Sequence, residues 1–254
     1  MPLPSATVDE LVESLKRTSL ATVIVEGPED VAVYRHIESL MRGIRADVLP
    51  CGGRTILLDV FKRRSEFQAK SVAFLSDKDM WLFSSVPPEY AEIVWTEGYS
   101  IENDLYHDSD IERLMTTEET SEFRSLIDLA SRWFAFQLEN HRCGRDVNIA
   151  LHISAIVPQG TLDFSPLVRD KFQYTEPPEA TCSDIRKNYT RKLRGHLLLQ
   201  ALVRILSVAG RGSTYGYHNV LELCAKVRNH PGVNRLITEL TAKLTQNLPP
   251  SKSA

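Results

Sequence analysis

The sequence predicts an α/β fold: a small parallel sheet flanked by helices, followed by a mainly helical C-terminal region. Three observations carry that expectation. Short apolar runs rich in β-branched residues occur at 21–25, 46–50, 71–76 and 92–96, each bounded by turn residues or charges. Amphipathic stretches of helical period separate the first three of them. Strands alternating with helices at this spacing describe βαβ units, whose right-handed crossovers build a parallel sheet.

The elements follow in chain order. Val8, Leu11, Val12 and Leu15 share one helical face, so a helix precedes the first strand. That strand, ATVIV, stops at Glu26-Gly27-Pro28. Pro28 suits a first helical turn, and Glu29 and Asp30 suit its positive end. Val33, Ile37, Leu40 and Met41 then continue at helical spacing. The second strand, ADVLP, ends in Cys51-Gly52-Gly53, a turn, and TILLDVFKRR follows as a helix. SVAFLS and EIVWT are the third and fourth strands. Beyond about residue 105 the patterning turns helical at 117–142, 147–157, 191–210 and 219–230. The segment 164–184 between them is Pro-rich and irregular, with room for short helical pieces. Two regions result, an α/β domain over 1–107 and a helical region over 108–254 for substrate, dimer or partner contacts. Trp133, Phe134 and Phe136 in the latter either face a partner or pack a core.

Composition excludes several classes. The chain has 254 residues, 43% of them hydrophobic and 25% charged, enough to bury a core without disulfides or structural metal. Its four cysteines (51, 143, 182 and 224) have no zinc or disulfide spacing, which fits a reducing, cytoplasmic setting. The first 20 residues alternate charges with apolar residues, unlike a signal peptide. The oiliest stretch, 197–210, is too short to span a bilayer and carries Arg204, so no membrane partner is expected.

A net charge of −3 argues against a generic nucleic-acid binder, but its distribution is uneven. From Asp77 to Glu122 there are 13 acids against Lys78 and Arg113. From Arg186 to Ser213 there are seven bases and no acid. An acidic middle that holds cations and a basic segment that holds phosphates would be complementary in an enzyme acting on polyanions. Two solvated helix faces of opposite sign would give the same tally.

In a parallel sheet the segments after each strand meet at one edge, where ligands bind. Glu26 follows strand one, and Asp77 and Asp79 follow strand three. Spaced i and i+2, those aspartates face one side of extended backbone, with Lys78 on the other. Like charges so close require a counter-charge. Three oxygen donors without His or Cys suit Mg²⁺ or Mn²⁺ rather than zinc. Around them stand possible supporting residues, each with a plainer reading. Asp30 is either a supporting acid or a favourable first-turn charge. Lys78 steadies a phosphate or pairs with a neighbouring acid. Glu102, in YSIENDL, is a ligand or sits in a first turn capped by Ser100. Gly52-Gly53-Arg54 approaches a phosphate or makes an ordinary turn. The bases Arg186, Lys187, Arg191, Lys192 and Arg194 would track a nucleic-acid backbone. There is no GxxxxGK[ST] loop and no GxSxG elbow. The seven histidines lack metal-ligand spacing, and His196 in the basic stretch is the one to test.

VIVEGPEDVAVY, followed one βαβ unit later by FLSDKD, resembles the TOPRIM fold of topoisomerases, primases and a group of nucleases. The likeness covers about residues 20–107. LPCGGRTILLDVF and YSIENDLY narrow it to the TOPRIM nucleases paired with ABC-type ATPases in anti-phage defence, most closely the AriB-type effectors of the phage anti-restriction-induced system. The resemblance implies a nuclease held inactive on an AriA-like ABC-type ATPase, released when a phage protein is sensed. It further implies a homodimer that cleaves tRNA and stops translation. The family's metal-site glutamate falls on Glu26 and its DxD on Asp77 and Asp79, which are therefore the candidate catalytic and Mg²⁺-binding residues. Two alternatives stay open: a DNA nuclease of the same type, and a non-catalytic TOPRIM module that binds the ATPase.

Overall fold

A computed structural model of the chain describes residues 6–27, 31–41, 44–208, 210–227 and 230–246. Their elements are α1 (Val8–Arg17), β1 (Ala21–Val25), α2 (Val31–Leu40), β2 (Ala46–Pro50), α3 (Arg54–Lys62), β3 (Val72–Ser76) and β4 (Val94–Trp95). Then come α4 (Ile101–His107), α5 (Thr117–Arg142), α6 (Ile153–Ile156), α7 (Glu179–Lys187), α8 (Tyr189–Lys192), α9 (Gly195–Leu206), α10 (Tyr217–Ala225) and α11 (Pro231–Gln246). The fold is α/β with a four-stranded, all-parallel sheet, as the sequence predicts.

The described residues form two compact units. The first runs to Lys78 and adds Ser85–Thr96 and the C-terminal stretch from His230; the second is Asp79–Ser84 with Glu97–Asn229. The division therefore falls nearer residue 97 than 107, and the chain's last helix belongs to the first unit.

In the first unit the sheet order is β2-β1-β3-β4. Val25 lies opposite Pro50, Ile24 opposite Phe74 and Ser76 opposite Trp95. Pro50 has no N–H to donate, which an edge strand tolerates. All five residues of β1 are buried, as expected of a central parallel strand covered on both faces. Thr7 and Glu10 close a capping box that starts α1, which packs on α3 through Leu11, Val12 and Leu15. On the sheet lies α11, against β1, β3 and β4, with Leu236, Leu240 and Leu244 buried. Its end is tied by Ser71 Oγ donating to the Leu244 carbonyl at 2.5 Å, and Arg235 Nη2 donates to the Trp95 carbonyl at 2.8 Å. β4 is two residues rather than five, because a 3₁₀ turn over Pro88–Tyr90 holds the Ile93 N–H on the Tyr90 carbonyl.

The second unit packs α5 against α7 and α9. Trp133, Phe134 and Phe136 are all buried there, so core packing is their role. The helix expected over 147–157 contracts to the single turn α6. Side chains take its backbone donors: Asn148 N–H bonds Gln137 Oε1 and Ile153 N–H bonds Gln200 Oε1, a local alternative to the helical ladder. The helix expected over 191–210 breaks at Leu193 and Arg194. There the Asn103 carboxamide donates to the carbonyls of Thr190 at 3.0 Å and Leu193 at 2.9 Å.

That break brings α9 against α4 so closely that only glycine fits at 195. A Cβ would stand 2.3 Å from Ser100 Oγ, 2.8 Å from Asn103 Oδ1 and 2.9 Å from Glu102 Cβ. Gly195→Ala is expected to destabilise by about 1–3 kcal/mol through overpacking, measured as a lower urea midpoint. An unchanged midpoint would mean the two helices separate freely.

Candidate functional site

Pairing of β1 with β3 sets the ends of those strands side by side, and the residues that leave them meet. Glu26 Oε1 accepts a hydrogen bond from the Asp77 N–H at 3.1 Å and a short one from Ser76 Oγ. The Glu26 carbonyl accepts from the N–H groups of Gly52 at 2.9 Å and Gly53 at 2.6 Å. Those glycines have φ of 98° and 129°, left-handed values that a side chain would strain. The two-glycine turn thus fixes the Glu26 backbone and launches α3 beside it.

Arg54, the first residue of α3, supplies the counter-charge. Its Nε lies 3.8 Å from Glu26 Oε1, and its Nη2 donates a short hydrogen bond to the Asp77 carbonyl. The guanidinium sits 5.6 Å from the Trp95 ring centroid, within cation–π range. Glu26 and Arg54 are mostly buried, with side chains 19% and 23% exposed. A cation in the first turn opposes the helix dipole, and that mismatch is the sequence signal that could have marked Arg54 as partner to an acid. Cys51, 2% exposed, lies beneath them. Burial pushes its thiol up to about 11, which keeps it from acting as a thiolate nucleophile at neutral pH.

Beyond Ser76 the backbone departs from expectation. β3 ends before the aspartates, and the Lys78 N–H turns to Thr96 Oγ1 at 3.1 Å. Asp79 has φ of 48° and opens a 3₁₀ turn over Asp79–Phe83. The extended alternation expected through Asp77-Lys78-Asp79 is corrected accordingly. Asp79 belongs to the second unit, where its N–H bonds the Tyr99 carbonyl at 2.8 Å. An aspartate tolerates the left-handed region better than most residues, and such outliers concentrate at functional turns. Asp30 lies outside the described residues.

Hard-oxygen chemistry fits the first unit's edge in part. Glu26 and Asp77 abut there, and among the described residues the hydrogen bonds and ion pair of the Glu26 carboxylate engage Oε1 and none engages Oε2. The edge already accepts a positive group. Among the described residues no cluster of three or more His, Cys, Asp or Glu side chains is arranged to hold a metal. Mg²⁺ commonly takes one or two carboxylates and completes its shell with water, and this pair matches that need.

In the second unit Glu102 is buried, 8% exposed, and accepts a hydrogen bond from Tyr217 Oη at 2.9 Å. The Tyr217 ring stacks 4.5 Å from that of His196. Ser100 closes a capping box with Asn103, so the first-turn reading of Glu102 holds locally, with Tyr217 an added partner. Three of the five candidate nucleic-acid-binding bases are already engaged. Arg186 pairs with Asp128 at 2.6 Å, Lys192 with Asp184 at 2.6 Å, and Arg191 with Glu97 at 3.0 Å and Asp104 at 3.3 Å. Lys187 is exposed, and neither it nor Arg194 makes an ion pair with a described residue. The pairs of Arg186 and Lys192 are surface pairs that a phosphate can displace; the Arg191 pair reaches a fully buried carboxylate.

A cavity of about 460 Å³ opens at the other end of β3, lined by Phe61, Arg64, Val72, Phe74 and Lys243 among others. Its Arg64 stacks 4.2 Å from the Phe61 ring and pairs with Glu92 at 3.4 Å. It contains none of the candidate catalytic residues. Among the described residues no helix is long and apolar enough to cross a membrane. No protein-family model matches the chain, and no curated protein matches it.

Proposed function

We propose that the chain is a metal-dependent TOPRIM-type nuclease, the toxic effector of an anti-phage system, which cleaves tRNA after release from an ABC-type ATPase. One observation carries the chemical part: the β1–β3 pairing sets the Glu26 carboxylate on the Asp77 N–H at the carboxyl edge of a parallel sheet. Binding sites of open α/β sheets lie at that edge. The substrate, partner and active homodimer rest on the resemblance of VIVEGPEDVAVY and FLSDKD to that family.

Glu26 and Asp77 hold a hard divalent cation in this reading, with Asp79 the third donor that the DxD motif implies. Bound Mg²⁺ or Mn²⁺ supplies positive charge against the scissile phosphate and a water acidified for attack. The protein's own part is positioning. Ser76 Oγ and the Asp77 N–H lock Oε1 of Glu26, while Gly52 and Gly53 lock its carbonyl. A ligand so restrained is preorganised and loses little freedom on binding. Lys187, exposed and without an ion pair to a described residue, is the base best placed to track the substrate backbone, while a guanidinium nitrogen of Arg194 is buried.

The test is cleavage of total tRNA and of supercoiled plasmid by the purified chain, with Mg²⁺ or with chelator. Metal-dependent tRNA cuts are expected. Plasmid cuts alone would make it a DNA nuclease. Inactivity on both, with the ATPase partner and phage trigger present, would leave a non-catalytic module.

A further inference from the structure

We infer that Arg54 is a resident counter-charge on the Oε1 side of Glu26, so that the guanidinium and a divalent cation arriving at Oε2 compete electrostatically for one carboxylate. The inference rests on the metal site proposed above. Three features of the first unit support it. The guanidinium Nε stands 3.8 Å from Glu26 Oε1, within ion-pair range of a largely buried carboxylate. Arg54 is anchored on its other side by the Asp77 carbonyl and by Trp95, so it is positioned rather than merely near. It sits at the positive end of α3, where a cation is disfavoured unless an acid offsets the dipole. Glu26 serves as that acid.

Two positive groups cannot both be held close to one carboxylate without mutual repulsion. Metal entry at Glu26 therefore weakens the Arg54 contact, and the Arg54 contact lowers metal affinity. Without metal, the arginine keeps a largely buried carboxylate paired and the edge folded. Once metal enters, the guanidinium stays at the site, a group whose planar donors match a phosphate.

Mn²⁺ binding to the full chain, followed by calorimetry and by the free-ion paramagnetic signal, tests the competition without any substrate. Arg54→Gln is expected to tighten Mn²⁺ binding about tenfold. That is a discounted share of the attraction between unit charges near 4 Å, because both side chains retain some solvent. Arg54→Lys keeps the charge and is expected to bind nearly as wild type does. Thermal melting supplies a second reading: Arg54→Gln should melt lower than wild type without metal and gain more on Mn²⁺ addition. Equal affinities in wild type and Arg54→Gln would overturn the competition while leaving the metal site intact. No Mn²⁺ binding by any of the three would overturn the metal site and this inference with it. Binding by Arg54→Gln alone would be the strongest form of the expected result.

Discussion

Glu26→Gln is expected to lose metal-dependent tRNA cleavage by on the order of 10²–10³-fold, the scale on which removal of one group that stabilises transition-state charge is felt. Its melting temperature should fall only by about as much as that of Arg54→Gln, since both variants give up the same ion pair and Gln keeps the hydrogen bonds. The substitution is chosen for its shape. A Gln carbonyl oxygen can still accept from Ser76 Oγ and the Asp77 N–H, the two bonds that tie the ends of β1 and β3 together. The negative charge that would hold a cation and pair Arg54 is gone. Glu26→Ala would remove both, and leave the Asp77 N–H without its acceptor, so loss of cleavage there would mix catalysis with stability. If Glu26→Gln cut tRNA at the wild-type rate in Mg²⁺, Glu26 would be a structural tie between strands and the site would have to lie elsewhere. Mn²⁺ titration of the same variant separates lost metal affinity from lost chemistry at saturating metal.

What made Glu26 and Asp77 legible was the pairing of period and punctuation. β1, β2 and β3 are short apolar runs that end in Glu-Gly, Cys-Gly-Gly and Asp-Lys-Asp, and in a parallel sheet those endings converge whatever the exact register. The stripe Val233, Leu236, Leu240 and Leu244 of α11 was equally open to inspection. Pro231-Gly232 ahead of it looks like a turn, yet proline is favoured at a helix's first position. Other features depend on tertiary partners. Asp79 leaves extended backbone although its i, i+2 spacing from Asp77 suggests a strand, because its N–H goes to Tyr99, twenty residues on. The basic run 186–194 resembled a phosphate track, but Arg186 and Arg191 pair with Asp128 and Asp104, far back in the chain, and Lys192 pairs with Asp184 just before the run. Side chains that compete for backbone donors, as Gln137 and Gln200 do before and at α6, leave no periodic trace.

Asp104→Ala is expected to lower stability by about 3 kcal/mol, the low end of the cost of stripping one partner from a buried charge pair. The carboxylate is fully buried, and three of its contacts lie within the second unit. It accepts from the N–H groups of Glu97 at 2.8 Å and Gly98 at 2.7 Å, and it pairs with Arg191 at 3.3 Å. Alanine would leave those two donors unmatched and Arg191, whose side chain is 22% exposed, with only the more solvent-exposed Glu97. The low end applies because Arg191 can rehydrate. At about 2–4 °C per kcal/mol for a chain of this size, the melting temperature should fall by roughly 6–12 °C. Asp104→Asn keeps one carbonyl acceptor and should fall less. Within the second unit the effect reaches Asp79 through the backbone. Residues 97–99 are clamped between Asp104 and the Arg191 carbonyl, which accepts from the Tyr99 N–H at 2.8 Å, and the Tyr99 carbonyl in turn accepts from the Asp79 N–H at 2.8 Å. Loosening that clamp should free the left-handed turn at Asp79, so the Asp79 amide should exchange faster in Asp104→Ala than amides in α5, under conditions where both remain folded. Equal acceleration across the unit would mean that Asp104 contributes only general stability. A melting temperature within 2 °C of wild type would mean that water replaces all three contacts, and that the acid-rich stretch after β4 carries its charges as an ordinary solvated surface.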